Sequence, residues 1–225
     1  MKQPLKPPPD RLYGRVKGKA LRPRQEWLLE FFLPRLSWPE IPFAFAPVET
    51  WLEVGFGGGE HAYALSNVNP DVGIIAAEVF ETGICSLLSK LAPEGEADPA
   101  PPGNLRLFTD DARQLIRAMP GGALTKLFLM FPDPWPKARH AKRRFVHPEL
   151  LSEVARVLVS GGEWRIASDD PTYQAWTDEV LAAQSQFTII SRTQTRPEGW
   201  PPTRYEAKAI SAGRQPVYWS LQRKS

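Results

Sequence analysis

The stretch FPDPWPKARHAKRR, residues 131–144, sets one carboxylate, Asp133, between Pro132 and Pro134, then packs five Lys or Arg into the eight positions 137–144. The proline rings restrict the backbone on both sides, so the acid is held with little entropy left to lose. A fixed carboxylate can stabilise positive charge that develops on a partner, or accept from that partner's N–H groups. The cations behind it, Lys137, Arg139, Lys142, Arg143 and Arg144, with His140 among them, suit phosphates. A solvated basic loop after a strand has the same composition, so the rest of the chain must decide between the two readings. Trp135 either stacks on a base or covers the apolar underside of its own loop.

A second candidate is EVGFGGGEH, residues 53–61, with glycines at 55, 57, 58 and 59. Gly55 and Gly57 let the backbone turn sharply and approach a ligand closely. The dinucleotide pattern G-x-G-x-x-G asks for glycine at position 60, but Glu60 stands there and repels a diphosphate at a helix start. No Lys-Ser/Thr pair follows the glycines, which argues against a P-loop. A nucleoside ligand without phosphates remains. Glu53, Glu78 and the pair Asp110 and Asp111 stand at the ends of three successive apolar runs. Carboxylates so placed can accept from an ammonium group, a ribose diol and an adenine amino group respectively, and S-adenosylmethionine carries all three. Asp111 equally suits a helix cap and Glu78 a nicotinamide cofactor, so the set is more specific than any member.

The elements that must position these residues alternate. TWLEVG (50–55), GIIAAEV (73–79), NLRLFTD (104–110), LTKLFLMF (124–131) and EWRIAS (163–168) read as strands. Between them, helices are predicted from Glu60, over ETGICSLLSKL, over DARQLIRAM and over 147–158, the last closed by Gly161 and Gly162. Asp170-Pro171 opens a helix over 171–184, and FTIISRT and PVYWSLQ supply two final strands. Such alternation means a largely parallel sheet with helices on both faces, and ligands then bind beyond the C-terminal strand ends. Every motif above falls at such an end. His61 and His147 read as local, a helix start and a helix cap, His140 as a polar surface residue, and Cys85 as a buried small hydrophobe.

Composition bounds the function. A chain of 225 residues with 42% hydrophobic content fits one α/β domain with extensions, here a basic, flexible arm at 1–24 and a single domain at 25–225. The formal charge is only +3, but residues 1–24 carry eight basic side chains against Asp10 alone, as an arm that seeks a polyanion would. One cysteine excludes an internal disulfide framework, and no Cys or His pair lies at metal-ligand spacing, so no metal is expected. No stretch approaches a membrane span and no signal peptide is read, which places the expected setting in a reducing cytoplasm. The tract 92–103 reads as an exposed loop without assigned function.

Taken together, E-V-G-F-G-G-G, E-V at strand two, D-D-A at strand three, F-P-D-P-W-P-K-A-R-H-A-K-R-R at strand four and T-R-Y-E near the C-terminus resemble the bacterial-type tRNA (guanine-N7-)-methyltransferases over residues 50–210. The resemblance implies a Rossmann-like, mostly parallel seven-stranded sheet with an antiparallel last strand. It implies methyl transfer from S-adenosylmethionine to guanine N7 in tRNA, with Asp133 catalytic. By it, Glu53, Glu78, Asp111 and Asp133 meet the cofactor or the reaction centre. Lys137, Asp169, Thr203, Arg204, Tyr205 and Glu206 would contact the target guanosine, and Arg139 to Arg144 would lie against the RNA. The segment SDDPTY departs from the pattern by lacking an aromatic directly after Asp169. Other readings are a methyltransferase for another RNA or a small molecule, a non-catalytic RNA-binding protein on the same fold, and, disfavoured by Glu60, a nicotinamide oxidoreductase. The sequence does not distinguish a monomer from a homodimer.

Overall fold

The run VGIIAA, residues 72–77, is buried at every position, as a strand covered on both faces must be. In the computed structural model, which describes residues 16–18, 20–96 and 98–225, it is one of seven strands of a single sheet. These are β1 (Glu49–Val54), β2 (Val72–Ala77), β3 (Leu105–Phe108), β4 (Leu124–Met130), β5 (Leu158–Ser168), β6 (Phe187–Thr193) and β7 (Val217–Arg223). The helices are α1 (Pro23–Trp27), α2 (Glu60–Val68), α3 (Glu81–Leu91), α4 (Ala112–Ala118), α5 (Pro148–Val157), α6 (Pro171–Ala182) and α7 (Arg204–Ser211). The strand order is β3-β2-β1-β4-β5-β7-β6. β7 runs antiparallel to both of its neighbours, and the pairs among β1 to β5 are parallel.

Side-chain alternation sorts the sheet into two cores. Leu52 and Val54 of β1 pack with α4, α5 and α6, whereas Trp51 packs with α2, α3 and the helical segment that carries Leu28 and Phe32. Glu53 shares the parity of Trp51 and therefore points toward α2. The chain leaves β1 toward β2 on one side and returns in β4 on the other, so the crevice where the order reverses lies between the C-terminal ends of β1 and β4. The glycine loop follows β1 and the Pro-Asp-Pro loop follows β4, which sets the two candidate motifs face to face.

One local expectation needs correction, and two elements were not expected. Gly161 and Gly162 do not close a helix: α5 ends at Val157 and β5 begins at once, with the glycines inside an irregular stretch where the β4 to β5 register shifts. Gly161 has φ of +75°, so this bulge needs a residue without a Cβ. A helix at 204–211 was not expected. It is capped by Thr203, whose hydroxyl accepts from the Glu206 N–H at 3.1 Å. Residues 23–35, assigned to no element from sequence, are helical and supply Leu28 and Phe32 to the core.

Candidate active site

The glycine loop is built on conformations that a side chain disfavours. Gly57 has φ of +58°, and a Cβ added there would lie 2.8 Å from the ring of Tyr205. Its N–H donates to Glu78 Oε2 at 2.7 Å, while Glu78 Oε1 accepts from the N–H groups of Val79 at 2.8 Å and Phe80 at 3.0 Å. Glu78 thus ties the loop after β1 to the end of β2. Burial pushes its pKa above the usual carboxylate value; the three N–H donors oppose that shift, and the charge of Asp133 adds to it. Both acids line one space.

That space is a cleft of about 390 Å³ at the switch point, walled by Gly55, Gly57 and Glu78 on one side and by Phe131, Asp133 and Trp135 on the other. A second lobe of about 140 Å³ shares Gly55, Glu78, Arg143 and Phe145 with it and reaches Asp110 and Asp111. The expected strand-end residues Gly55, Gly57, Glu78, Asp110, Asp111 and Asp133 are therefore brought together. Asp111 also caps α4, accepting from the N–H of Arg113 at 3.0 Å and pairing with its guanidinium, as the capping alternative foresaw. Asp133 is exposed at the cleft. Left-handed φ values at Phe131 (+54°) and Trp135 (+45°) bracket it, a backbone that non-glycine residues adopt only at some cost.

The basic segment divides in a way the sequence did not show. Lys137, Arg139 and Lys142 are exposed. Arg143 lines both lobes of the cleft, with its guanidinium 4.8 Å from the centre of the Trp135 ring. Arg144 was expected to lie against RNA, but it is only 6% exposed and turns inward. Its Nη2 donates to the carbonyl of Trp135 at 2.9 Å and its Nε to that of Pro134 at 3.2 Å, so it closes the loop on itself. His140 lies edge-on to Trp135 at 5.7 Å. The Trp135 ring is thus engaged by its own loop.

The C-terminal residues expected at the guanosine are likewise split. Arg204 and Tyr205 are exposed, and Tyr205 lies over the glycine loop. Glu206 instead points inward, accepting from the Tyr218 hydroxyl at 2.6 Å and pairing with Arg196 at 2.9 Å, and Thr203 is spent on the helix cap. Burial and Glu206 together raise the Tyr218 hydroxyl well above the usual tyrosine value. Asp169 pairs with Arg214 at 2.8 Å and does not line the cleft. Sequence reasoning also missed His61. It stands at the helix start, as expected, but is buried, 3% exposed, with Nδ1 3.0 Å from Oε2 of Glu53, itself 2% exposed.

The family described as "Putative methyltransferase" matches residues 48–218. A tRNA (guanine-N(7)-)-methyltransferase of Granulibacter bethesdensis is 60% identical over 224 residues, covering 98% of each chain. The enzyme of the same name from Paramagnetospirillum magneticum is 46% identical, over 96% of this chain and 93% of its own. The chain belongs to the tRNA (guanine-N(7)-)-methyltransferase family. The crystal structure of the 16S rRNA methyltransferase KamB is similar in fold, with a TM-score of 0.59 at 17% identity over 80% of this chain and 89% of that one. The seven-stranded sheet with its inserted antiparallel β7 is thus the fold of S-adenosylmethionine-dependent methyltransferases. Among the described residues no helix is long and apolar enough to cross a membrane, and no group of three or more His, Cys, Asp or Glu could hold a metal.

Proposed function

We infer that this protein transfers a methyl group from S-adenosylmethionine to N7 of a guanine in tRNA, in the cytoplasm. The observation that carries the reading is the shared space of Glu78, held by Gly57, and Asp133, held between two prolines, with the exposed cations of the same loop beside it. The chain fits the cofactor. Glu78 offers oxygens at the cleft wall for a ribose diol, Val79 and Phe145 give apolar walls for an adenine, and Asp110 and Asp111 lie at that lobe's far end.

When bound, S-adenosylmethionine supplies an electrophilic methyl: the N7 lone pair forms the new N–C bond, the S–C bond breaks, and its electron pair stays on sulfur. No proton leaves N7, so the protein needs no general base, and its task is placement. Asp133 accepts from the guanine's N1 and N2 donors and faces the positive charge that grows on the purine, which stabilises the transition state more than the ground state. Lys137, Arg139 and Lys142 bind phosphates around it, and Arg204 and Tyr205 border the guanine from α7. Arg144 holds the loop that carries Asp133.

Incubation with total tRNA and S-adenosylmethionine, followed by mass mapping of the nucleosides, tests this: 7-methylguanosine should be the product. Methyl groups on another base, or none at all in a protein that still binds tRNA, would turn the reading to a different RNA methyltransferase or to a non-catalytic RNA-binding protein.

A further inference from the structure

His61 has no role in the transfer as described, yet its buried partner Glu53, a strand-end acid expected to meet the cofactor, sits beside the cleft. Glu53 comes from the last turn-ward end of β1 and His61 from the first turn of α2, so the glycine loop is the link between them. A carboxylate can only accept, so the 3.0 Å contact requires His61 to carry its proton on Nδ1 and donate it to Oε2. The imidazole packs edge-on against Phe128 at 5.2 Å, which fixes its plane. Among the described residues the other oxygen of Glu53 has no hydrogen-bond partner. Both residues line a recess of about 10 Å³ with Thr203 and Tyr205, and the recess shares Gly55 and Tyr205 with the main cleft. Such a volume accommodates about one water-sized group.

We propose that His61 is a positioning residue for the cofactor's α-ammonium group: by occupying Oε2 of Glu53 it holds the carboxylate at the recess and leaves the second oxygen to accept that ammonium. The proposal rests on the methyltransferase reading. An imidazole whose plane is fixed by Phe128 directs one N–H at the carboxylate, whereas a Lys or Arg at position 61 would bring a permanent positive charge to the site that must attract a cation. The contact also explains why a histidine is buried here beside an acid.

Isothermal titration with S-adenosylhomocysteine and with 5′-methylthioadenosine, which keeps the nucleoside but lacks the amino-acid end, separates positioning from a general disturbance of the fold. His61→Leu should weaken S-adenosylhomocysteine by about tenfold or more, the worth of a hydrogen bond to a charged group, and change 5′-methylthioadenosine little. His61→Asn, whose amide N–H can reach the same oxygen, should restore most of the loss. In a Glu53→Gln background His61→Leu should no longer alter the ratio of the two affinities, since the coupled partner is gone. Should His61→Leu not fold, the comparison of His61→Asn with His61→Gln, which places its donor one bond further out, gives the same readout. Equal losses for both ligands, no loss for S-adenosylhomocysteine, or an undiminished effect in the Glu53→Gln background would overturn the proposal. A wild-type protein that binds neither ligand would instead refute the methyltransferase reading beneath it.

Discussion

Glu78 and Asp133 share a cleft but are held in opposite ways, and their chemistry separates accordingly. Glu78 has a raised pKa, caused first by burial, so its contribution to the stability of the ligand-free protein is greatest below the unfolded carboxylate pKa and is lost as pH rises through the raised value. Cofactor affinity runs the other way, because hydroxyl donors from a ribose favour the ionised acid. Binding of S-adenosylhomocysteine should therefore strengthen as pH rises through that range and release protons. Titrations in buffers of different ionisation enthalpy would show this release in the wild type and not in Glu78→Gln. Asp133 is exposed and flanked by prolines, and on the proposed reading it acts on the substrate. Asp133→Asn keeps the shape and removes the charge, so single-turnover transfer should fall by about a hundredfold or more, on the scale of a lost transition-state contact, while tRNA affinity holds or rises slightly. A transfer rate near wild type would reassign Asp133 to a structural role.

At the scale of elements, the loop after β4 is a closed device whose parts differ in function although they look alike in sequence. Arg144 forks onto two carbonyls of its own loop, and its neighbours are fixed from α6: the Tyr173 hydroxyl accepts from the Val146 N–H at 3.2 Å, and Trp176 Nε1 donates to the Val146 carbonyl at 2.5 Å. Lys has no fork, so Arg144→Lys should cost about 2 kcal/mol in urea denaturation and slow single-turnover transfer, without changing the salt dependence of tRNA binding. Arg139→Ala should do the reverse, lowering the slope of log affinity against log salt by about 0.7 to 0.9 at unchanged stability. The run of cations was legible in the sequence, but which of them faces inward was not, because burial of an Arg is decided by carbonyls that only the folded loop brings within reach. The same holds for T-R-Y-E. As a motif it marked the right neighbourhood, yet Thr203 and Glu206 are used by the cap and by Tyr218, the latter contact made across 12 residues. The strands of the parallel half were readable because buried apolar runs and the glycines after them are local signals, whereas the irregular start of β5 depends on its pairing with β4.

Across the whole molecule, the positive charge gathers in two stretches of the chain. One is the exposed face of the loop at 137–142; the other is the N-terminal segment, of which residues 1–15 and 19 lie outside the described residues. Its flexibility is thus an expectation from its prolines and charge, but its point of attachment is defined. The carbonyl of Val16 accepts from the Glu81 N–H at 3.0 Å, at the start of α3, directly after the Glu78 to Phe80 wall of the cleft. Farther on, Arg24 donates to the carbonyl of Ala92 at 2.8 Å and stacks over Trp27, so the segment is tied down before α1 ends. Four basic residues, Lys2, Lys6, Arg11 and Arg15, precede Val16 in the chain. Deleting residues 1–15 should weaken tRNA binding and lower the salt slope by up to about 3.6, the limit for four phosphate contacts at roughly 0.7 to 0.9 each. Transfer at saturating tRNA should stay within about twofold of wild type, because on the proposed reading the guanine is placed by Asp133 and its loop, which the deletion leaves intact. Arg139→Ala combined with Lys142→Ala should lower the slope as well but also slow saturated transfer, since those charges are fixed relative to the base. A deletion that slows saturated transfer as much as the double variant would make the arm part of the active site and not a tether.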